Sequence, residues 1–323
     1  MNDGREIAFS ELSKAMSLFT KISPLTYWLD LVCSAVFGWL SLLVATYSEN
    51  SILAGLSFLT AAVLLYRGTV FIHEVIHVQN KIPYFRQAYD LLIGYANCYP
   101  SYTYEPHFFH HLTRCYGTHE DPEFNSHIGR HRLRVLLSPI LLSILLPFYQ
   151  TCRFVFLPLF YPVLTNKKKT FIFQRLSTLV FNADYKRSLP DENDLRIMRR
   201  NDFACASIRL SVFALTIADV LPVKFVILWF SAIALGSLMN MYRALANHDY
   251  LRPFGRRTRQ EQFLQSKTLT PRLINEIWAP LSMGYHALHH LSPSIPYHEL
   301  PRAHRYIMKN PRLSELYAET LQH

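Results

Sequence analysis

A chain of 323 residues that is 50% apolar has room for one large domain or for a bundle of membrane-spanning helices. Its formal net charge of +10 suits nucleic acid or an anionic membrane surface. The basic residues sit between apolar runs and not in one patch interleaved with aromatics, so a membrane is expected and no nucleic acid. The five cysteines, Cys33, Cys98, Cys115, Cys152 and Cys205, contain no C-x-x-C pair and are odd in number, which points to neither a zinc ribbon nor a disulfide framework.

The first 27 residues read as a cytosolic, partly amphipathic lead-in without the pattern of a signal peptide. The stretch 28–47 is apolar apart from Asp30, and 52–72 is apolar apart from Arg67. About 20 apolar residues cross a bilayer, so these two are expected as a transmembrane hairpin. Arg67 lies close enough to the end of its span to snorkel to the headgroups. The loop 48–51, SENS, carries no Lys or Arg, so it faces away from the cytosol and the second helix delivers His73 and His77 to the cytosolic side. The segment 90–100 is too short to span and is expected in the interface.

The stretch 135–164 is apolar but holds Pro139, Pro147, Pro158, Pro162 and Arg153. It is too short for two crossings, which need about 40 residues, and one crossing would strand the later histidines on the wrong side. It is therefore read as interfacial or re-entrant. Lys167–Lys169 is expected at a solvated edge facing anionic lipid. A second hairpin follows over 203–218 and 221–242, although Arg209 within its first helix has no evident partner. His248 then emerges on the cytosolic side. The fold expected over 1–323 is a single all-α integral membrane domain: two transmembrane helical hairpins (four spans), interfacial helices and a cytosolic cap carrying a di-metal site.

The histidines carry the chemistry. HEVIH holds His73 and His77; HFFHH holds His107, His110 and His111; RALANH ends in His248; HALHH holds His286, His289 and His290. Positions i, i+3 and i+4 share one helix face, so each cluster aims its imidazoles at one point. Crowded imidazoles away from water lack partners at roughly 1–3 kcal/mol apiece, and a metal removes that cost. Nine ligands exceed the four to six of one ion and suit two. HEVIH also satisfies the zinc-protease pattern H-E-x-x-H, with Glu74 as general base, but that leaves the other two clusters idle. His119 and His131 read as surface or hydrogen-bonding residues, and His298 and His304 as structural or outer partners. Asp121 either orients a ligand imidazole or caps a helix. Asn247 reaches a metal through water or only packs.

The order and spacing of these clusters resemble the fatty acid desaturase family of integral-membrane di-iron enzymes. THEDPEF after the second cluster is similar to the family's acidic turn. RALANH is similar to its R-x-x-x-E-H segment with Asn247 in place of Glu, and Asn275–His304 is similar to its C-terminal signature. The likeness covers about Tyr66–His304. It implies two non-haem iron ions held by the nine histidines, O2 as co-substrate, and a desaturase that introduces a double bond into the acyl chain of a lipid. Related hydroxylases, ketolases and decarboxylases share the first hydrogen abstraction. It further implies a separate electron donor of ferredoxin or cytochrome b5 type, whose acidic surface would suit the basic cytosolic face. The expected location is a membrane with the active site at its cytosolic face: the inner membrane in a bacterium, the endoplasmic reticulum in a eukaryote.

Overall fold

The computed structural model describes residues 2–78, 81–124, 126–182, 184–269 and 272–322. Helix α1 (Asn2–Ala15) precedes the long pair α2 (Pro24–Tyr47) and α3 (Ser51–Val78). Short helices α4 (Phe85–Tyr89) and α5 (Tyr95–Asn97) flank a π-turn, and α6 (His107–His111) follows. Helix α7 (Arg132–Thr151) runs through a second π-turn, Cys152–Phe156, into α8 (Leu157–Leu159). Then come α9 (Asn166–Leu176) and the second long pair, α10 (Glu192–Ile217) and α11 (Val223–Asn247). The C-terminal cap holds α12 (Arg259–Gln265), α13 (Leu273–Trp278), α14 (His286–Leu291), α15 (Leu300–Met308) and α16 (Pro311–Ala318). Strands β1 (Thr268–Leu269) and β2 (Leu321–Gln322) pair in parallel and tie the chain end to the cap. The protein is a nearly all-α membrane protein, as its apolar runs require.

Sequence chemistry sets how the first pair starts and packs. The Ser23 hydroxyl accepts from the Thr26 amide and Pro24 occupies the first turn, which suits a residue with no N–H to satisfy. The buried stripe of α2 runs through Tyr27, Leu31, Ala35 and Leu42, spaced to stay on one face. Gly38 lies in that stripe, where a Cβ would come within 2.9 Å of the Leu65 side chain; its bare backbone lets α2 and α3 touch. Leu29, Phe37, Leu40, Leu53 and Leu56 stay exposed on the outward faces. A contiguous apolar surface of this kind belongs against lipid.

Four helices are long and apolar enough to cross a membrane: Pro24–Tyr47, Ser51–Val78, Arg132–Leu159 and Val223–Asn247. This departs from the expected set in two places. The stretch expected as interfacial, 135–164, lies largely within the 28-residue helix Arg132–Leu159. The expected span 203–218 is the second half of α10, whose first half is charged. Prolines do not break the longer helix. The Pro147 carbonyl accepts from Thr151 Oγ1 at 2.7 Å and from Arg209 Nη1 at 3.2 Å, and the π-turn that follows precedes Pro158 in the first turn of α8.

The same contacts account for Arg209. It is buried, with Nη1 2.6 Å from Thr151 Oγ1 and Nε 3.3 Å from the Ala96 carbonyl. Its guanidinium also lies 5.2 Å from the ring centres of Trp229 and Phe230, so carbonyls, a hydroxyl and π-faces replace a counter-ion. Arg67 does not reach out alone to the headgroups. It binds Asp30 through Nε at 2.8 Å, and the Tyr297 hydroxyl donates to the same carboxylate at 2.9 Å. That ion pair clips α2 and α3 to the C-terminal cap.

Contacts also set the level of each helix end. Lys224 Nζ lies 3.5 Å from the Ser48 carbonyl, so α11 starts beside the α2–α3 loop, and it ends at His248. The Tyr242 hydroxyl, near that second end, donates to the Leu136 carbonyl at 2.7 Å. Beyond the helix, Arg153 donates to Asp202 at 2.9 Å and to the Leu176 carbonyl at 2.6 Å. Asp202 in turn accepts from Tyr102 at 2.6 Å, five residues before the second histidine cluster.

Candidate metal centre

Four pieces of the fold deliver histidines to one place. The last turn of α3 brings His73 and His77, α6 brings His107, His110 and His111, the residue after α11 is His248, and α14 brings His286, His289 and His290. Each piece places its imidazoles one turn apart or adjacent, so they converge. All nine sequence-predicted candidates meet, and they divide into two groups. His73, His77, His107, His111 and His289 form one; His110, His248, His286 and His290 form the other. Within each group the candidate ligand atoms lie within 4.8 Å of one another. His77 and His111 are partly exposed and the other seven are buried.

The ring nitrogens face inward in pairs. In the group of four, His248 Nε2 lies 2.8 Å from His286 Nε2 and 3.3 Å from His110 Nε2, and His290 Nε2 lies 3.1 Å from His286 Nε2. In the group of five, His111 Nε2 lies 2.9 Å from His107 Nε2 and 3.1 Å from His289 Nε2. His73 Nε2 and His77 Nε2 are buried with no hydrogen-bond partner among the described residues. Lone pairs that converge with too few protons to share, and buried nitrogens with nothing to bond, fit cations at two centres. An all-imidazole set suits iron, zinc or copper.

Carboxylates hold several rings from outside. Glu74 Oε1 lies 3.1 Å from His73 Nδ1, Glu123 Oε1 lies 2.8 Å from His107 Nδ1, and Asp121 Oδ1 lies 2.8 Å from His110 Nδ1. A carboxylate accepting from Nδ1–H leaves the Nε2 lone pair aimed inward. Asp121 is itself fixed by the amides of Gly117, Glu123 and Phe124, so the loop after α6 is built around it. Glu74 accepts from the Tyr27 hydroxyl at 2.6 Å. Asn247 donates to the Met283 carbonyl at 3.0 Å while its Oδ1 is buried without a partner among the described residues.

Glu123 was not among the sequence candidates, nor were Tyr104 and Gln262. Tyr104 stacks on His107 with ring centres 4.8 Å apart and hydrogen-bonds Glu123. Gln262 Nε2 lies 3.0 Å from His290 Nδ1 and 3.1 Å from the His110 carbonyl. The one available signal was the second acid in THEDPEF, two residues after Asp121. Gln262 comes from a helix with no motif, which nothing local marks.

Electrostatics favour neutral rings over much of the site. Burial, reinforced by neighbouring imidazoles, holds His111, His248, His286, His289 and His290 well below the ordinary histidine value. For His110 burial pushes down, but Asp121 and Glu123 outweigh it and its value is raised. Burial would raise Glu123, yet His107, His110 and the Tyr104 hydroxyl hold its carboxyl below the usual carboxylate range. Neutral imidazole is the form that ligates.

Four other described histidines lie elsewhere. His119 stacks on Phe254 at 4.1 Å. His131 caps the start of α7 through the Leu133 amide, His298 accepts from the Ser23 amide, and His304 pairs with the Tyr317 hydroxyl.

A cavity opens between α3 and α11, with His73 in its wall. Leu65, Val70, Ile233 and Met283 supply apolar lining, while Asn240 and Arg243 supply polar groups. An apolar lining with a few polar groups is the mixture of a ligand pocket. Gly236 also lines it, and a Cβ there would come within 3.0 Å of Tyr66 Cβ.

The fatty acid desaturase family model matches residues 50–319. The chain belongs to the fatty acid desaturase family. A ceramide hydroxylase of Caulobacter vibrioides (strain NA1000 / CB15N) is 31% identical over 299 residues, covering 90% of this chain and 83% of that relative. No solved structure matches the chain. Family membership, the membrane-length helices and the two histidine groups make this desaturase-family protein a multi-pass membrane enzyme of lipid modification.

Proposed function

We propose that this desaturase-family protein is an O2-dependent hydroxylase of a membrane lipid acyl chain, with a ceramide-like lipid as substrate. The observation that carries the proposal is the pair of histidine groups, one of which places His73 in the wall of a largely apolar cavity. The 31% identity to a ceramide hydroxylase favours hydroxylation over the double-bond formation that the sequence motifs suggested. In hydroxylation one C–H bond, one O2, two electrons and two protons give an alcohol and one water. In desaturation two C–H bonds and the same reductant give a double bond and two waters.

The nine histidines would hold two iron ions, five ligands on one and four on the other. Iron bound there supplies O2 binding and the oxidising power to break an unactivated C–H bond. The protein's part is positioning. Glu74, Asp121 and Glu123 orient His73, His110 and His107. The cavity holds the chain away from water beside His73. His77 and His111, at the partly exposed edge, face the side from which electrons arrive. The donor is a separate acidic ferredoxin or cytochrome b5-type carrier that meets the basic cytosolic face.

The active site faces the cytosol because the 48–51 loop at the opposite end lacks Lys and Arg. His110 and His248 share one centre, so the chain between them crosses an even number of times. Helices α10 and α11 supply both crossings, and Arg132–Leu159 lies tilted, with both of its ends on the side of the histidines.

HEVIH alone would suit a zinc protease with Glu74 as the base. In this fold Glu74 is buried, hydrogen-bonded to Tyr27 and to His73, which leaves it no free face for an attacking water. The test compares Glu74→Gln with His107→Ala in O2- and reductant-dependent lipid oxidation, read by mass spectrometry. Glu74→Gln should keep iron and a measurable share of oxidation, and His107→Ala neither. A dead Glu74→Gln, a normal His107→Ala and O2-independent turnover would overturn the oxidase assignment.

A further inference from the structure

Arg243 stands in the cavity wall five residues before His248, and it is 4% exposed. Its Nε and Nη2 both donate to Asn240 Oδ1, at 3.1 and 2.9 Å. It also hydrogen-bonds the Tyr66 hydroxyl, which in turn donates to the Trp278 carbonyl at 2.9 Å.

Among the described residues no carboxylate forms an ion pair with it. The other deeply placed arginines differ. Arg153 has Asp202, Arg67 has Asp30, and Arg187 has Glu105. Arg209 has two carbonyls, a hydroxyl and two ring faces. A guanidinium carries five N–H donors, and burying it without a counter-charge is expensive. Its place next to a centre built for cations makes the arrangement worse unless something with lone pairs comes to it.

A hydrocarbon chain needs no such group, since an apolar wall would hold it better. The polar pair Asn240 and Arg243 faces the same cavity as His73, so whatever Arg243 binds lies close to the atom being oxidised. Asn240 uses its carbonyl to fix the guanidinium, which pre-organises the remaining donors.

We propose that Arg243, aligned by Asn240, binds an oxygen acceptor of the lipid substrate and thereby sets which carbon is presented to the histidine centre. The acceptor is the amide carbonyl or hydroxyl of an amide-linked lipid, or the carboxylate of a free fatty acid. Both offer the same lone pairs. This rests on the cavity being the place where the lipid is oxidised, and it makes Arg243 a specificity-determining residue.

The test uses the full-length protein in lipid nanodiscs with three probes of equal chain length: an N-acylsphingosine, the free fatty acid and the alkane. Binding is measured directly, and the position of oxygen in any product is read by mass spectrometry. Wild type should bind at least one oxygen-bearing probe more tightly than the alkane. Arg243→Leu should weaken that probe by about 10- to 100-fold, the range of a hydrogen bond to a charged group. Its alkane affinity should stay within about twofold, and its products should spread over several carbons. Asn240→Leu should shift binding and product position in the same direction by a smaller factor.

Unchanged preference and unchanged product position in Arg243→Leu would overturn the proposal. If that variant does not fold, Asn240→Leu decides by the same criteria. A wild-type protein that oxidises no probe with O2 and reductant would sink the oxidase assignment. A wild type that oxidises lipid, with variants of unaltered selectivity, would sink only the role of Arg243.

Discussion

Glu123→Gln tests whether the carboxylate behind His107 sets the metal centre. Glu123 is 5% exposed and its Oε1 lies 2.8 Å from His107 Nδ1. The substitution keeps the shape but exchanges a charge-assisted hydrogen bond, worth about 1.5–3 kcal/mol, for a neutral one of about 0.5–1.5 kcal/mol. The difference of about 1–1.5 kcal/mol corresponds to roughly a tenfold loss of iron affinity, at the lower end of the 10–100-fold typical of partners behind a ligand. The assay is chelator competition on the iron-loaded protein, with circular dichroism to confirm the fold. Glu120→Gln, exposed on the same loop, should hold iron within about twofold of wild type. Because the folded value of Glu123 is depressed, its contribution is present above the ordinary carboxylate value. It is lost only as pH falls through the depressed one. Iron released on mild acidification should therefore follow histidine protonation in both wild type and Glu123→Gln, with the more weakly binding variant releasing it at the higher pH. A Glu123→Gln protein that binds iron as tightly as wild type would refute the orienting role.

Metal analysis should find two iron ions per chain, and His111→Ala or His289→Ala should lose both activity and metal by more than about 100-fold, beyond the range of an outer partner; one ion per chain, or an active variant, would count against two centres. Cysteines placed at Ser48 and Asp219 should react with impermeant reagents only from the non-cytosolic side, and a cytosolic signal from Ser48 would reverse the topology. Cysteines at His131 and Asn166 should react from one and the same side; opposite sides would make Arg132–Leu159 a complete crossing.

Much of the centre was legible because its ligands obey local spacing. His107, His110 and His111 sit on one helical turn, as do His286, His289 and His290, so each cluster announces itself within five residues. The first hairpin was legible for a similar reason: bilayer thickness imposes a run length that composition alone reveals. The stretch 132–159 was harder. Its prolines suggested interruption, whereas the stretch stays helical, with the Thr151 hydroxyl donating to the Pro147 carbonyl and a π-turn after it. Arg209 looked unplaceable because its acceptors come from 58 to 113 residues away.

By itself, then, the sequence determined the helical class, the membrane setting and the set of nine histidines, since periodicity, run length and motif spacing are properties of neighbouring residues. Only the tertiary structure decided how those nine divide into five and four. It also decided that Glu123 and Gln262 stand behind His107 and His290, and that Arg243 is left in a cavity without a carboxylate. Those are relations between side chains brought together from separate helices. Packing sets them, and no local pattern along the chain carries that information.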